Sequence, residues 1–257
     1  YYPADSVIHK MDPRTKLLAT VVYVVSLFVF RNIPGFIVAT AVLIALVLLS
    51  KVPFKLMAKG LKIIWVLVAI TAFFNVFFTP GDLLWQVGVL HITWQGVRNA
   101  VFFSIRLIYL ILGTSIMTLT TTPNKLTDGL EEGLKPLNKI HIPVHEIALM
   151  MSIALRFIPL LGEETDRIKK AQMARGADFE SGNMIQKVKS LVPILVPLFV
   201  SAFRRANDLA LAMEARCYHG GEGRTKMKPL HHEKRDYIAY VLMFAYLGAM
   251  IVIRVVG

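Results

Sequence analysis

The feature that most constrains this chain is a series of long stretches that contain no charged residue. An α-helix needs about 20 apolar residues to cross the hydrocarbon core of a bilayer, whereas helices in soluble proteins average only about 11 to 12 residues. We therefore predict an all-α integral membrane protein with about five transmembrane helices. The uncharged windows are residues 17–30, 32–50, 63–81, 107–124 and 237–253.

The first window has only fourteen residues, which is short for a span. We expect its helix to extend through Arg31 toward Pro34, or to tilt so that the side chains at its ends snorkel. Between the third and fourth windows, segment 80–95 holds turn residues together with Trp85 and Trp94. This pattern predicts a short outer loop with tryptophans at the membrane interface.

The basic residues are concentrated in a few segments. Of the 29 lysines and arginines, 25 lie in segments 1–16, 51–62 and 123–236. Because cytoplasmic loops of membrane proteins are enriched in lysine and arginine, we predict that these segments are cytoplasmic and that the C-terminus is outside. Membrane topology then accounts for the net charge of +12, and we expect no nucleic-acid partner.

The long segment 123–236 mixes basic and acidic residues with short apolar runs. This composition is typical of amphipathic helices at a membrane surface. Its run 191–203 is a poor candidate for a span, because it is short and contains Pro193 and Pro197. The predicted organisation is an N-terminal membrane region with four spans, a cytoplasmic domain of amphipathic helices and a C-terminal span, at residues 1–122, 123–236 and 237–257.

Two stretches of that segment follow the same plan, in which an apolar run with proline leads to a charged middle and then to alanine, arginine and a small residue. The spacing between the two ends is 41 residues. One interpretation is helix-end chemistry, in which each arginine complements the helix dipole and Gly176 or Gly220 caps the helix. The other is that an exposed guanidinium binds a partner, and the duplication favours this second interpretation. The two ends are Ala174-Arg175-Gly176 and Ala215-Arg216-Cys217.

With these motifs the sequence resembles the T components of energy-coupling factor transporters. In that family two Ala-Arg-small motifs end two long cytoplasmic coupling helices. Cys217 departs from the resemblance, since glycine is common at this position; either the small side chain is accepted there or the cap shifts to Gly220. Further similar segments are Asp12-Pro13-Arg14-Thr15-Lys16, Pro123-Asn124-Lys125-Leu126, Arg156-Phe157-Ile158-Pro159 and Ala171-Gln172.

The resemblance implies that this chain is a non-catalytic subunit of a transporter in the bacterial cell membrane. In transporters of that family, two cytoplasmic ATPase subunits bind ATP and magnesium. Each ATPase receives one arginine, Arg175 or Arg216, in a surface groove. The coupling helices then pass the movement to a small membrane S component that binds a vitamin. The sequence itself contains no Gly-x-x-x-x-Gly-Lys-Ser/Thr phosphate loop, so we expect no cofactor in this chain.

A methionine-containing run is a candidate contact for the S component, because methionine suits surfaces that fit several partners. Ordinary packing between helices is an equally good interpretation of the run. The residues are Leu149, Met150, Met151 and Ile153.

Other chemistry-bearing residues carry weaker signals. Arg106 lies inside a predicted span, and we expect it to snorkel or to pair with backbone carbonyls. His141 and His145 have a metal-like spacing, but Pro143 between them favours a solvated turn. A flexible basic linker is predicted by the cluster Gly220, Gly221, Gly223, Arg224, Lys226 and Lys228.

Two other functional classes stay open on the sequence. A membrane enzyme acting on a lipid or prenyl substrate would show activity as an isolated chain. The permease subunit of a conventional ABC importer would hold a substrate pathway between its own helices. Neither a paired set of acidic residues in the spans nor a clear pathway is evident in the sequence, which argues against both.

Overall fold

The computed structural model describes residues 1–30, 32–87, 90–179, 183–221, 227 and 229–256. The chain forms two compact units, Tyr1–Glu132 with Leu230–Gly257, and Gly133–Pro229. The elements are α1 (Val7–Lys10), α2 (Pro13–Val29), α3 (Ile33–Ser50), α4 (Phe54–Phe78), β1 (Leu83–Val87), β2 (Leu90–Thr93), α5 (Trp94–Thr120), α6 (Pro123–Leu134), a 3₁₀ helix (Lys135–Ile140), α7 (Val144–Ala174), α8 (Met184–Glu214) and α9 (Lys234–Val256).

The prediction of an all-α membrane protein with about five helices of spanning length is confirmed, but two of these helices lie in segment 123–236, which the sequence predicts to be cytoplasmic. Within the described residues, five helices are long and apolar enough to cross a membrane, namely α3, α5, α7, α8 and α9. The two parts of α4, Phe54–Lys62 and Ile64–Phe78, are bent by 56° and count as a further span when taken together. Helix α2 has 17 residues, so by length it falls at the lower end of what a span needs.

The expectation that run 191–203 is too short for a span is wrong as regards its length. The run lies in the middle of α8, a continuous helix of 31 residues that keeps Pro193 and Pro197 inside it. Helix α7 likewise keeps Pro159 inside 31 residues. Both helices differ from α3, which has no charged residue, because charges recur along their length.

Segment 80–95 is more ordered than the short outer loop that the sequence predicts. Strands β1 and β2 pair antiparallel, with Val87 opposite Leu90. Thr93 then begins α5 as its N-cap, and its hydroxyl accepts a hydrogen bond from the amide of Gly96 at 3.0 Å. The hairpin therefore leads directly into the next helix.

Helix α2 extends at the end opposite to the one expected. Its N-cap is Asp12, which accepts a hydrogen bond from the amide of Arg14 at 2.8 Å, and Pro13 occupies the first helical position. Proline suits that position because it has no amide hydrogen to leave unpaired. The helix ends at Val29 and does not continue toward Pro34; Arg31 lies outside the described residues.

A buried polar cluster ties three helix ends together on one side of the first unit. The ammonium group of Lys16 donates to the carbonyl of Thr120 at 3.0 Å and to the hydroxyl of Thr121 at 3.3 Å. One carboxylate oxygen of Asp236 accepts from the amide of Asp12 at 2.9 Å. The start of α2, the end of α5 and the start of α9 therefore lie together, as expected if all three face the cytoplasm. We call these five residues the polar hub.

Arg106 has a backbone partner in the first unit, in agreement with one of the two expectations for it. Its guanidinium donates to the carbonyl of Phe30 at 2.9 Å. Phe30 follows the last residue of α2, where carbonyl groups have no partner within the helix. The guanidinium of Arg106 thus satisfies a carbonyl at the end of a neighbouring helix.

Candidate functional site

The first Ala-Arg-small motif forms the end of α7. Ala174 is the last helical residue, Arg175 is the C-cap and Gly176 has a left-handed backbone with φ of 87°. The amide of Gly176 donates to the carbonyl of Met173 at 3.0 Å, and the following amide donates to the carbonyl of Gln172 at 3.0 Å. This pair of hydrogen bonds is the Schellman motif, which satisfies carbonyls at a helix C-terminus.

The second motif ends α8 with the same pattern of hydrogen bonds. The amide of Cys217 donates to the carbonyl of Glu214 at 2.8 Å, and the following amide donates to the carbonyl of Met213 at 3.0 Å. Ala215 still has helical dihedral angles, with φ of −61° and ψ of −21°. Arg216 therefore occupies the place that Arg175 has at the end of α7.

Cys217 takes the left-handed position itself, with φ of 53°. The alternative that the cap shifts to Gly220 is wrong: Gly220 is also left-handed, with φ of 93°, but it lies three residues further along. The backbone bonds of the Schellman motif hold Cys217 in a conformation that glycine adopts more readily. The small residue of each motif thus has one structural role, namely to reverse the chain after the arginine.

The arginines project from these ends into solvent. All six residues of the two motifs are exposed. In the part of the chain that the structure describes, neither Arg175 nor Arg216 takes part in an ion pair or a side-chain hydrogen bond. Each helix end therefore presents a guanidinium with its donors directed to solvent, at the negative end of a helix dipole.

Helices α7 and α8 are joined by an ion pair at equivalent positions. Arg205 donates to the carboxylate of Glu164 at 2.7 Å, and both side chains are partly exposed. These two residues are 41 apart in sequence, the same spacing as the two motifs. The repeated plan is therefore also a spatial one, with equivalent residues of the two helices in contact.

A second contact sets the relative direction of the helices. The side-chain amide of Gln172 donates to the carbonyl of Pro193 at 3.4 Å. Because Gln172 follows Glu164 while Pro193 precedes Arg205, the helices run antiparallel. In a regular helix that carbonyl would bond to the amide of residue 197, but Pro197 has none. Gln172 thus satisfies a carbonyl that the proline leaves open.

The ion pair lies halfway between the two motifs along the helices. Each arginine follows its ion-pair residue by eleven positions, which is about 16 Å along a helix. No proline occurs between Glu164 and Arg175 or between Arg205 and Arg216. Two uninterrupted helical arms of equal length therefore lead in opposite directions to the two ends.

The candidate contact residues on α7 have unequal exposure. Met150 and Met151 are 61% and 40% exposed, whereas Leu149 and Ile153 are half-buried. The four do not share one face, because consecutive helical residues differ by about 100° in direction. Ile147, at 41% exposed, is the better neighbour for Met151, four residues away.

An exposed apolar stripe on α8 was not predicted from the sequence. Its members recur at intervals of three or four residues, the spacing of one helix face. A search for this spacing through the prolines, without ending the helix at them, would have found it. The stripe consists of Ile185, Val188, Val192, Val196, Phe199 and Phe203.

The histidine pair lies in and after a turn, and most of the basic glycine-containing cluster lies outside the described residues. His141 is left-handed, with φ of 60°, and ends the 3₁₀ helix, whereas His145 lies in the first turn of α7 after Pro143. The predicted break at the proline is confirmed. Among the described residues no group of three or more histidine, cysteine or acidic side chains could hold a metal. Outside the described residues lie Gly223, Arg224, Lys226 and Lys228.

Fold and site together define a class, the polytopic α-helical membrane proteins, here with an antiparallel helix pair that ends in two equivalent exposed arginines. The family model described as cobalt transport protein, CbiQ, matches residues 4–227. The chain therefore has a counterpart for almost all of these elements in a known transport family.

Relatives extend this match over nearly the whole chain. An energy-coupling factor transporter transmembrane protein, EcfT, from Clostridium kluyveri is 52% identical over 257 residues, which cover 99% of this chain and 95% of that protein. EcfT from Thermosediminibacter oceani is 51% identical over 241 residues, covering 94% and 91%. EcfT from Bacillus subtilis is 47% identical over 256 residues, covering 99% and 96%. The chain belongs to this family of transmembrane components of energy-coupling factor transporters.

Proposed function

We propose that this chain is the scaffold that transmits ATP-driven movement from two ATPase subunits to a substrate-binding S component during vitamin uptake. ATP and magnesium are bound and used in the ATPase subunits, and this chain is not itself an enzyme. The observation that carries the proposal is the pair of matching Schellman ends, each presenting an exposed arginine.

Arg175 and Arg216 are the ATPase-docking residues in this proposal, with Ala174, Gly176, Ala215 and Cys217 shaping the two ends. An arginine at a helix tip can donate several hydrogen bonds at once to a carboxylate or to the backbone carbonyls of a groove. The Schellman turn supports this role, because the reversal of the chain after each arginine removes following residues from the tip.

The arrangement of α7 and α8 supports two partners of the same kind. Two helical arms of equal length leave the Glu164–Arg205 ion pair in opposite directions. Two similar ATPase subunits can then bind equivalent ends through the same type of groove. A movement of either subunit would shift its own arm and, through the ion pair, the other arm.

The S component is proposed to contact the exposed apolar residues of the same two helices. Met150 and Met151, together with half-buried Leu149 and Ile153, contribute from α7, and the apolar stripe contributes from α8. The lipid bilayer surrounds the spans that lie outside segment 123–236. The cytoplasmic position of segment 123–236 and of the N-terminus, with the C-terminus outside, is part of this proposal and rests on the distribution of basic residues.

Co-purification with candidate ATPase subunits tests the docking role. We expect the wild type to retain both ATPases and the Arg175→Ala, Arg216→Ala double variant to lose them at matched membrane expression. Truncating a buried, hydrogen-bonded interface charge costs roughly 2 to 5 kcal/mol, whereas losing only a cap interaction costs about 0.3 to 1 kcal/mol.

The matched control is the Arg167→Ala, Arg204→Ala double variant, which removes two exposed arginines from the same helices away from their ends. This control should keep both ATPases. Equal loss in the two double variants would reduce the effect to net charge and contradict docking at the ends. If the wild type captures no ATPase at all, the membrane-enzyme alternative gains weight.

A further inference from the structure

A cavity of about 570 Å³ lies beside the N-terminal half of α5, away from the polar hub. Its volume is within the range of roughly 300 to 1,000 Å³ found for ligand sites. The lining combines two arginines and two side-chain amides with three phenylalanine rings. The polar members are Gln95, Arg98, Asn99 and Arg106.

The cavity is positively charged, because no carboxylate belongs to the lining formed by the described residues. Asp82, which is exposed, accepts a hydrogen bond from the side-chain amide of the lining residue Gln95 at 2.7 Å. Gln95 in turn accepts from the amide of Asp82 at 2.8 Å. Asp82 is thus hydrogen-bonded to Gln95, and no acidic side chain of the described residues lines the cavity beside Arg98.

The lining residues of α5 lie at increasing depth from the start of the helix at Trp94, and polar side chains alternate with phenylalanine rings. Arg98 is four residues from Trp94, where the helix begins, and Trp94 is 58% exposed, as suits a tryptophan at a membrane interface. Arg98 lies over the ring of Phe102 at 5.4 Å. Arg106 is two turns deeper, about 12 Å further along the helix.

Three phenylalanine rings surround the guanidinium of Arg106 at the floor of the cavity. The guanidinium carbon lies 5.6 Å from the ring centre of Phe28 and 5.5 Å from that of Phe103. A third ring, that of Phe36, is at 5.9 Å. Stacked rings on a guanidinium lower the cost of keeping a charge at this depth and give the floor an apolar surface.

We propose that this cavity binds an anionic phospholipid, with Arg98 and Asn99 holding the headgroup phosphate and an acyl chain lying along Phe28 and Phe103. A guanidinium pairs with phosphate through two parallel hydrogen bonds, and the side-chain amide of Asn99 adds a donor. A soluble phosphate would use the arginine but leave the phenylalanine rings uncovered. Because the polar hub is at the opposite ends of these helices, the lipid belongs to the leaflet away from the hub.

Native mass spectrometry of the purified chain, released from detergent after incubation with phosphatidylglycerol or phosphatidylcholine, tests the site. We expect the wild type to retain phosphatidylglycerol in preference to phosphatidylcholine. In Arg98→Gln the preference should fall about tenfold, as expected for loss of a charge-assisted hydrogen bond. Asn99→Leu, which keeps both arginines, should show a smaller loss in the same direction.

The control is Arg254→Gln, since Arg254 is an exposed arginine in the last turn of α9 and does not line the cavity. It should retain the wild-type preference. Equal lipid retention by Arg98→Gln and Arg254→Gln overturns the proposal. So does full competition by glycerol 3-phosphate, because that result would assign the cavity to a soluble anion. The thermal unfolding of each variant in detergent must match the wild type for a loss of lipid to count.

Discussion

The left-handed conformation of Cys217 shows what the small residue of each motif does. A side chain with a Cβ atom is strained at positive φ, by roughly 1 to 2 kcal/mol, and glycine is not. At Gly176 a Cβ atom would meet no other atom within 4 Å, so only the backbone conformation restricts that position. The two ends are therefore equivalent in hydrogen bonding but unequal in strain.

Replacing the two small residues should shift the free energy of unfolding in opposite directions. Cys217→Gly removes strain and should stabilise the end of α8, while Gly176→Ala adds strain and should destabilise the end of α7, each by about 1 kcal/mol. Thermal unfolding in detergent measures both changes. Destabilisation by Cys217→Gly would mean that the thiol itself makes a favourable contact. Gly162→Ala, at a helical glycine of α7 with open space around it, is the control.

At the scale of elements, hydropathy predicts some helices well and others poorly. The bounds of α3 and α9 lie within three residues of the ends of their uncharged windows, because apolar residues make up nearly the whole of both helices. The start of α2 does not, since Asp12 and Pro13 begin the helix in a charged stretch that the window excludes. The length of α8 was not predicted, because the sequence pattern does not show that Gln172 of α7 pairs with the carbonyl that Pro197 leaves without a partner.

The candidate site was predictable in part. The positions of Arg175 and Arg216 at helix ends could be read from the motif, because alanine favours the helix and a small residue reverses it. The Glu164–Arg205 pair could not, since nothing local marks two charges 41 residues apart as neighbours. The sequence indicates the pair only through its spacing of 41 residues, which is also the spacing of the two motifs.

The ion pair between α7 and α8 gives a prediction at this scale. If the proposed function is correct, Glu164→Arg or Arg205→Glu alone places like charges together and should weaken ATP-driven uptake, while the double exchange should restore it. The pair is partly exposed, so its own contribution to stability is about 0.5 to 1 kcal/mol. Uptake of labelled vitamin by proteoliposomes of the full complex is the measurement.

A neighbouring pair provides the control for this charge exchange. Arg167 and Glu163 are 4.0 Å apart on α7 alone, and both are largely exposed. Reversing that pair should leave uptake unchanged, since it joins no second helix. If the Glu164→Arg, Arg205→Glu double variant stays as impaired as the single ones, the residues act through other contacts and not as a brace.

At the scale of the whole molecule, the polar hub connects the start of α2 with the start of α9, where Asp12 and Asp236 are 224 residues apart in the sequence. Asp236 is 1% exposed, and its two oxygens accept from the amides of Asp12 and Glu233, each at 2.9 Å. Asp236→Ala would leave a buried amide unpaired and should cost roughly 2 kcal/mol in stability. Asp236→Asn keeps one acceptor and should cost less. Thermal unfolding in detergent measures these changes. The control is Asp5→Ala, which should leave stability almost unchanged because Asp5 is exposed.

The hub also allows the predicted topology to be tested on the entire chain. Because it holds the starts of α2 and α9 on one side, the two chain ends should lie on opposite sides of the membrane if α9 crosses it. Cys217 is the one cysteine in the sequence, so Cys217→Ser gives a background for single cysteines. In intact cells, a thiol reagent that cannot cross the membrane should label Val255→Cys but not Asp5→Cys. After permeabilisation both should be labelled. Labelling of Asp5→Cys in intact cells, with Val255→Cys protected, would invert the orientation and contradict the cytoplasmic position proposed for the N-terminus.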